Sequence, residues 1–183
     1  MKQHVGVEEA RIDLSWARIW DYAALTKPRI TFFVVLSTAV GFILGTTGSY
    51  DLHLLMHTLL ATSLVAGGSA ALNQFLERDL DARMKRTSQR PLPSGRLQPE
   101  QAYLYGLFLS ASGILYLGFA VNWLVGIVAA ITIIIYLFLY TPLKQKTSYN
   151  TAVGAIAGAL PPVGGWAAAR GEIGLEAWVL FGI

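Results

Sequence analysis

Residues 52–93 read LHLLMHTLLATSLVAGGSAALNQFLERDLDARMKRTSQRPLP, and the fold class follows from how that stretch begins and ends. It holds no Asp, Glu, Lys or Arg from Leu52 to Leu76. A helix needs roughly 20 mostly apolar residues to cross a bilayer, so this run predicts a span. Its far end changes character abruptly. Asn73, Glu77 and Asp81 recur at i, i+4, i+8, which on a helix sets three oxygen-bearing side chains along one face over about two turns. Arg83, Lys85, Arg86 and Arg90 follow at once. Carboxylates with an amide suit Mg²⁺, which binds oxygen and is often shared with substrate phosphates. Guanidinium groups suit phosphate oxygens. The stretch therefore predicts a transmembrane helix whose end carries a site for a metal-bound diphosphate.

The rest of the chain has the same texture. Mean hydropathy is +0.50; hydrophobic residues are 54% and charged residues 14% of the 183. These are values of an integral membrane protein. Three further charge-free runs extend from Ile30 to Tyr50, Gln101 to Leu143 and Thr147 to Ala169. The second is long enough for two spans, with a tight turn at Val121-Asn122-Trp123. An all-α, polytopic bundle of five complete spans results. A sixth begins near Glu176 and reaches Ile183 after seven uncharged residues, too few to cross a bilayer. The expectation is that the chain is the front part of a longer protein.

Lysine and arginine set the orientation. If the N-terminus is cytoplasmic, segments 1–29, 77–100 and 143–149 lie inside and hold thirteen of the fourteen basic residues; only Arg170 falls outside. That is the positive-inside pattern. It accounts for the net charge of +3 without a nucleic-acid partner. The absence of cysteine excludes disulfides, thiolate metal sites and a thiol nucleophile. The first twenty residues lack the apolar core of a cleavable signal peptide.

Residues 1–27 read as a polar tail and an interfacial helix. From Ile12 to Leu25, Ile12, Trp16, Ile19, Trp20 and Ala23 share a face, as in a helix lying in the headgroup region. Trp16, Trp20 and Tyr22 are belt aromatics. Residues 28–183 form the transmembrane domain. Pro28 suits the first turn of span one. Pro91, Pro93, Ser94, Gly95 and Pro99 interrupt the chain before span three. Span five is rich in small residues, which let helices approach closely in lipid, and Pro161-Pro162 predicts a kink there.

Lys144 and Lys146 close span four on the side of the acidic face, and Tyr140 lies one turn before them. The Tyr140 ring could steady a developing cation. Arg78 and Asp79 lie off the 73–77–81 face and read as solvated flanks. His53 and His57, at i, i+4, sit at the opposite end of span two and read as interfacial packing. Tyr103, Tyr105, Tyr116 and Tyr136 read as packing too.

At this point the chain resembles a known family. Asn73-x₃-Glu77-x₃-Asp81-x₂-Met84-x-Arg86-Thr87-x₂-Arg90-Pro91-Leu92 is similar to the motif of protohaem IX farnesyltransferases, the haem O synthases, within the UbiA-type intramembrane prenyltransferase superfamily. Leu25-Thr-Lys-Pro28-Arg-Ile-Thr31, Tyr140-Thr-Pro-Leu-Lys144 and the stretch from Asn150 to Trp166 agree as well. Most of the wider superfamily has Asp at the positions of Gln74 and Glu77; the haem branch resembles this chain.

The resemblance implies a reaction and its parts. The farnesyl group of farnesyl diphosphate is transferred to a vinyl group of haem B, giving haem O and releasing diphosphate. Mg²⁺ is the cofactor, held by Asn73, Glu77 and Asp81. Arg86, Arg90 and Lys144 take the phosphate oxygens, with Tyr140 beside them; Arg83 and Lys85 join the diphosphate-binding set as part of the same basic cluster, in which they also set topology. The partners are farnesyl diphosphate, haem B and the lipid of a bacterial inner membrane; haem O is either the end product or passed to a haem A synthase. The family has nine spans and a second acidic motif after the sixth. The 183 residues alone are therefore expected to be inactive. Three other readings compete: a sister prenyltransferase with an aromatic or quinone-precursor acceptor, a transporter of anionic lipid or phosphate, and a structural subunit of an oxidase assembly.

Overall fold

The computed structural model describes residues 16–144 and 146–183. Helix α1 covers residues 16–25. Five helices of span length and apolarity follow: α2 (Pro28–Gly45), α3 (Leu52–Arg83), α4 (Pro99–Ala120), α5 (Trp123–Leu143) and α6 (Asn150–Arg170). The short α7 (Leu175–Gly182) packs back on α6 through Val163, Trp166 and Ala177. The described residues contain no strand. The expected tail (1–10) and residues 12–15 of the interfacial helix lie outside the described residues.

Local chemistry sets the helix boundaries. Pro28 opens α2 and Pro99 opens α4, where a missing N–H costs nothing. The Asp51 carboxylate accepts from Leu54 N at 2.9 Å and caps α3. Asn122 does the same for α5, accepting from Val125 N at 3.0 Å. Its amide also donates to the Ala167 carbonyl at 3.1 Å, tying the α4–α5 turn to α6. Gly171, at φ 76°, ends α6 in the left-handed conformation that glycine adopts freely.

Helix α3 runs 32 residues without interruption, about 48 Å at 1.5 Å per residue. That exceeds the hydrocarbon thickness of about 30 Å, so its last turns, with the acidic motif, emerge from the apolar zone while remaining helical. Two helix pairings build the bundle, α3 on α4 and α2 on α6. At the second, a Cβ on Gly41 would collide with the Pro162 carbonyl and one on Gly165 with the Thr38 carbonyl. Only glycine permits that backbone approach. The core joins Phe42, Val65, Leu72, Leu117, Val125 and Leu137 from four helices.

Two sequence expectations gain detail. Helix α6 continues through Pro161 and Pro162 as one element. The carbonyls those prolines leave without a helical donor belong to Ala157 and Gly158, and both residues line a cavity, where exposed backbone is tolerated in a membrane protein. The second concerns α5, which widens into a π-helix over Ile135–Tyr140. Pro142 cannot donate to the helical ladder, and the Thr141 N–H bonds the Tyr136 carbonyl five residues back. The extra residue rotates the end of α5.

Helix α1 leaves Trp16, Ile19 and Trp20 exposed, as an interfacial helix does. Its other side is anchored by Leu25, which is fully buried against Ala71, Leu92, Leu97 and Ala102. A 2.9 Å ion pair between Asp21 and Arg96 adds to this.

Candidate functional site

The face predicted from spacing is buried as one surface: Asn73 is 2% exposed, Glu77 5% and Asp81 2%. An ionised carboxylate at such depth needs a partner. Each of the three side chains has one, and each partner comes from a different segment. Lys27, just before α2, donates to Asn73 Oδ1 at 2.8 Å. Lys144, at the end of α5, donates to both Glu77 oxygens at 3.2 and 3.4 Å. Arg90, in the α3–α4 loop, meets Asp81 Oδ2 at 2.6 Å.

Each cation is delivered by local structure. Buried Thr87 donates to the Asp81 carbonyl at 2.8 Å, and Arg90 N bonds the Thr87 carbonyl at 3.0 Å. These turns fold the loop back so that Arg90 returns to Asp81. Lys144 follows the π-helical segment, its N–H on the Tyr140 carbonyl at 3.0 Å. Lys27 sits in a left-handed turn with φ 47°. Burial holds its ammonium below the usual lysine range, at about 8, with the Arg90 charge acting in the same direction and Glu77 and Asp81 opposing.

A hydrogen-bond chain orients Asn73. Its amide donates to Thr141 Oγ1 at 3.1 Å, and that hydroxyl donates to the Tyr136 carbonyl at 2.8 Å. The Asn73 oxygen is thereby turned toward Lys27. The next residue, Gln74, is equally buried and donates to the Leu25 carbonyl at 2.7 Å.

Beside this polar cluster opens a cavity of about 500 Å³, within the roughly 300–1,000 Å³ range of small-molecule sites. Lys27, Tyr136 and Tyr140 are among its lining; the remainder is mostly apolar, including Val34, Val65, Val128 and Ile133. Tyr136 and Tyr140 stack at 5.4 Å between ring centres. Gly154 makes room for the second ring, since a Cβ there would stand 2.9 Å from Tyr140 Cε2. Tyr136 is thus part of the cavity wall as well as of the packing.

The structure gathers Asn73, Glu77, Asp81, Arg90 and Lys144, with Tyr140 at the cavity. It does not bring Arg83, Lys85 and Arg86 to the acids. All three are exposed, and among the described residues their side chains make no ion pair or hydrogen bond. Spacing had missed Lys27, Gln74, Thr87 and Thr141, although all four fall within the stretches that carry the family resemblance. Arg78 and Asp79 pair at 3.7 Å off the 73–77–81 face, Asp79 exposed and Arg78 half-buried over the Phe75 ring. At the opposite end, His57 Nδ1 meets Tyr116 Oη at 2.7 Å and His57 Nε2 meets His53 Nε2 at 3.0 Å, an interhelical tie across α3 and α4.

The donor set fits Mg²⁺. It is all oxygen, two carboxylates and an amide. Among the described residues no three His, Cys, Asp or Glu side chains cluster to cage a metal. Such a set suits a hard ion that keeps part of its shell for substrate phosphate and water.

Comparison with known proteins agrees with this chemistry. The profile described as the UbiA prenyltransferase family matches residues 34–183. The protoheme IX farnesyltransferase of Solibacter usitatus is 48% identical over 172 residues, spanning 89% of this chain and 59% of that protein. That of Salinibacter ruber is 47% identical over 165 residues, 90% of this chain and 58% of its own. That of Brucella ovis is 42% identical over 182 residues, 99% and 58%. The chain therefore spans a little under three-fifths of the length of these relatives. In three dimensions it resembles a UbiA homologue from Archaeoglobus fulgidus, solved bound to DMAPP and Mg²⁺. The TM-score is 0.71 and the identity 22%, over 88% of this chain and 59% of that one.

Proposed function

Because this chain belongs to the UbiA prenyltransferase family, we propose that its buried polar face and cavity serve the transfer of farnesyl from farnesyl diphosphate to a vinyl group of haem B. The observation that carries this reading is the juxtaposition of an oxygen-donor face with an apolar cavity of about 500 Å³. A diphosphate on a long hydrocarbon chain needs both, side by side. Similarity to farnesyltransferases that act on protoheme IX supports the choice of substrates.

The residues divide the work. Asn73, Glu77 and Asp81 hold Mg²⁺, which when bound withdraws charge from the diphosphate and makes it a better leaving group. Arg90 and Lys144 turn from their carboxylates to phosphate oxygens as charge grows there. The exposed Arg83, Lys85 and Arg86 draw the anionic head group toward the site. The C1–O bond breaks with its electron pair leaving on diphosphate, and the vinyl π pair forms the new C–C bond. Water then adds to the cation left on the vinyl carbon next to the macrocycle and loses a proton. The ring faces of Tyr140 and Tyr136 stabilise the allylic cation, and the apolar cavity keeps water from it before the new bond forms.

The distribution of Lys and Arg supports a cytoplasmic N-terminus with the site facing the cytoplasm, and similarity to bacterial proteins supports a bacterial inner membrane. A haem A synthase is the natural recipient of the product. The test uses the protein as its gene encodes it, purified in detergent. Supplied with farnesyl diphosphate, Mg²⁺ and haem B, it should yield haem O by mass spectrometry and an equal amount of diphosphate. Diphosphate release that depends on an aromatic or quinone-precursor acceptor instead would move the assignment to a sister enzyme. Binding without any release would favour a transporter.

A further inference from the structure

We propose that His53 and His57, at the end of α3 remote from the oxygen face, bind a divalent transition-metal ion of the kind that prefers imidazole, Cu²⁺ above Zn²⁺. Spacing of i, i+4 puts both rings on one face of the helix, a turn apart. Spacing alone does not bring their tips together. In the structure they converge: His57 Nε2 stands 3.0 Å from His53 Nε2, with the ring centres 4.2 Å apart. Water reaches the meeting point, since His53 is exposed and His57 half-buried. A hydrogen bond between two rings so open to solvent contributes little, because water serves either nitrogen nearly as well. Two convergent imidazole nitrogens are a good pair of ligands for Cu²⁺, Ni²⁺ or Zn²⁺.

Tyr116 distinguishes this pair from a chance one. It reaches over from α4, its hydroxyl oxygen 2.7 Å from His57 Nδ1 and its ring edge-on to the imidazole. With the His57 proton on Nδ1, the tyrosine oxygen accepts it and the Nε2 lone pair is left beside His53 Nε2. Metal-ligating histidines are held in this way: the other ring nitrogen donates to an oxygen, which fixes the tautomer and the ring plane. The separation selects among ions. At metal–nitrogen distances of about 2.0–2.1 Å, two nitrogens on a tetrahedral ion stand about 3.3–3.4 Å apart, whereas neighbouring nitrogens on a tetragonal ion stand about 2.9 Å apart. The observed 3.0 Å is nearer the second arrangement, which Cu²⁺ and Ni²⁺ adopt, with water in the remaining positions. The positive end of a helix opposes a cation, and the Asp51 carboxylate that caps α3 offsets that field. Ligand type keeps the two ends of α3 apart: the oxygen face suits Mg²⁺, and the imidazoles suit the softer ion.

The experiment titrates Cu²⁺ alone and Zn²⁺ alone into the untagged, detergent-purified protein as its gene encodes it, with excess Mg²⁺ to occupy the oxygen face. Calorimetry gives the affinity, electron paramagnetic resonance the nitrogens around Cu²⁺, and a thermal melt the stabilisation. Cu²⁺ should bind more tightly than Zn²⁺, show coupling to two imidazole nitrogens, and raise the melting temperature by binding the folded state. His53→Gln alters an exposed side chain whose one partner among the described residues is His57, so the fold should stand. It should weaken Cu²⁺ binding about tenfold or more and remove the two-nitrogen signal. Tyr116→Phe should weaken Cu²⁺ binding about tenfold and keep both nitrogens. Cu²⁺ binding that survives His53→Gln unchanged places the ion elsewhere and overturns the proposal. Unchanged affinity in Tyr116→Phe overturns it too, because the pair then binds metal only adventitiously. If Cu²⁺ leaves the melt of the unaltered protein unmoved while metal-free His53→Gln melts lower, the histidines are a structural tie and the metal site falls. Tighter binding of Zn²⁺ than of Cu²⁺ overturns the tetragonal geometry.

Discussion

Glu77→Gln separates the two jobs assigned to the buried carboxylates of α3. The amide keeps the shape of the side chain and an oxygen for Lys144, but removes the charge. In the structure Glu77 is 5% exposed and accepts from Lys144 Nζ at 3.2 Å. Changing the acceptor of the Lys144 ammonium from a carboxylate to a neutral amide weakens the bond by about 1 kcal/mol, reduced because nearly half of the Lys144 side chain is exposed. The folded state should therefore weaken only slightly. Ligand binding should change much more, and in opposite directions with and without metal. With Mg²⁺, losing an anionic metal ligand should weaken binding of an unreactive farnesyl diphosphate analogue by about tenfold or more. In EDTA the sign reverses. Lys144 no longer has to leave a carboxylate to meet phosphate, and about 1 kcal/mol is gained, close to a fivefold tightening. The assay is equilibrium dialysis of the analogue with excess Mg²⁺ and with EDTA, alongside a thermal melt. A purely structural ion pair predicts a lowered melting temperature and the same proportional change in both buffers. That pattern would refute the reasoning.

Three further outcomes follow from the geometry. Thr141→Val keeps the shape of a 3%-exposed residue but strands the Asn73 amide and takes one of two donors from the Tyr136 carbonyl. A thermal or denaturant melt should show a loss of about 1–3 kcal/mol, which Thr141→Ser largely avoids. Gly41→Leu forces a side chain against the Pro162 backbone, so α2 and α6 must part; a loss of about 1–3 kcal/mol in the same melt is expected, and wild-type stability would mean the helices are not in contact there. Tyr140→Phe keeps the ring face and should retain most of the turnover, while Tyr140→Leu should lower kcat several-fold to about thirtyfold. Equal effects of the two would point to the hydroxyl instead.

Much of this protein was legible in one dimension because the governing interactions are local. Hydropathy is counted residue by residue against a bilayer of known thickness, so the five spans and the turn at Asn122 could be placed without knowing what packs on what. The 73–77–81 face was equally legible, because helical period alone puts i, i+4 and i+8 on one side. That Arg78 and Asp79 lie off that face followed from the same period. What needed the tertiary structure was the choice among cations. Arg83, Lys85, Arg86 and Arg90 are chemically alike in sequence, yet only Arg90 reaches an acid, because the Thr87 turn reverses the loop at that point. Lys27 lies 46 residues from Asn73 and Lys144 lies 67 from Glu77. Those distances close only when α2, α3 and α5 pack around one cavity. The π-helical end of α5, which brings Tyr136 and Tyr140 into that cavity together, depends on the Pro142 break and on Thr141 finding Asn73 across the bundle. Period and composition act within a segment, so the sequence by itself determined the spans and the 73–77–81 face. Pairing acts between segments, so only the tertiary structure decided which charge meets which.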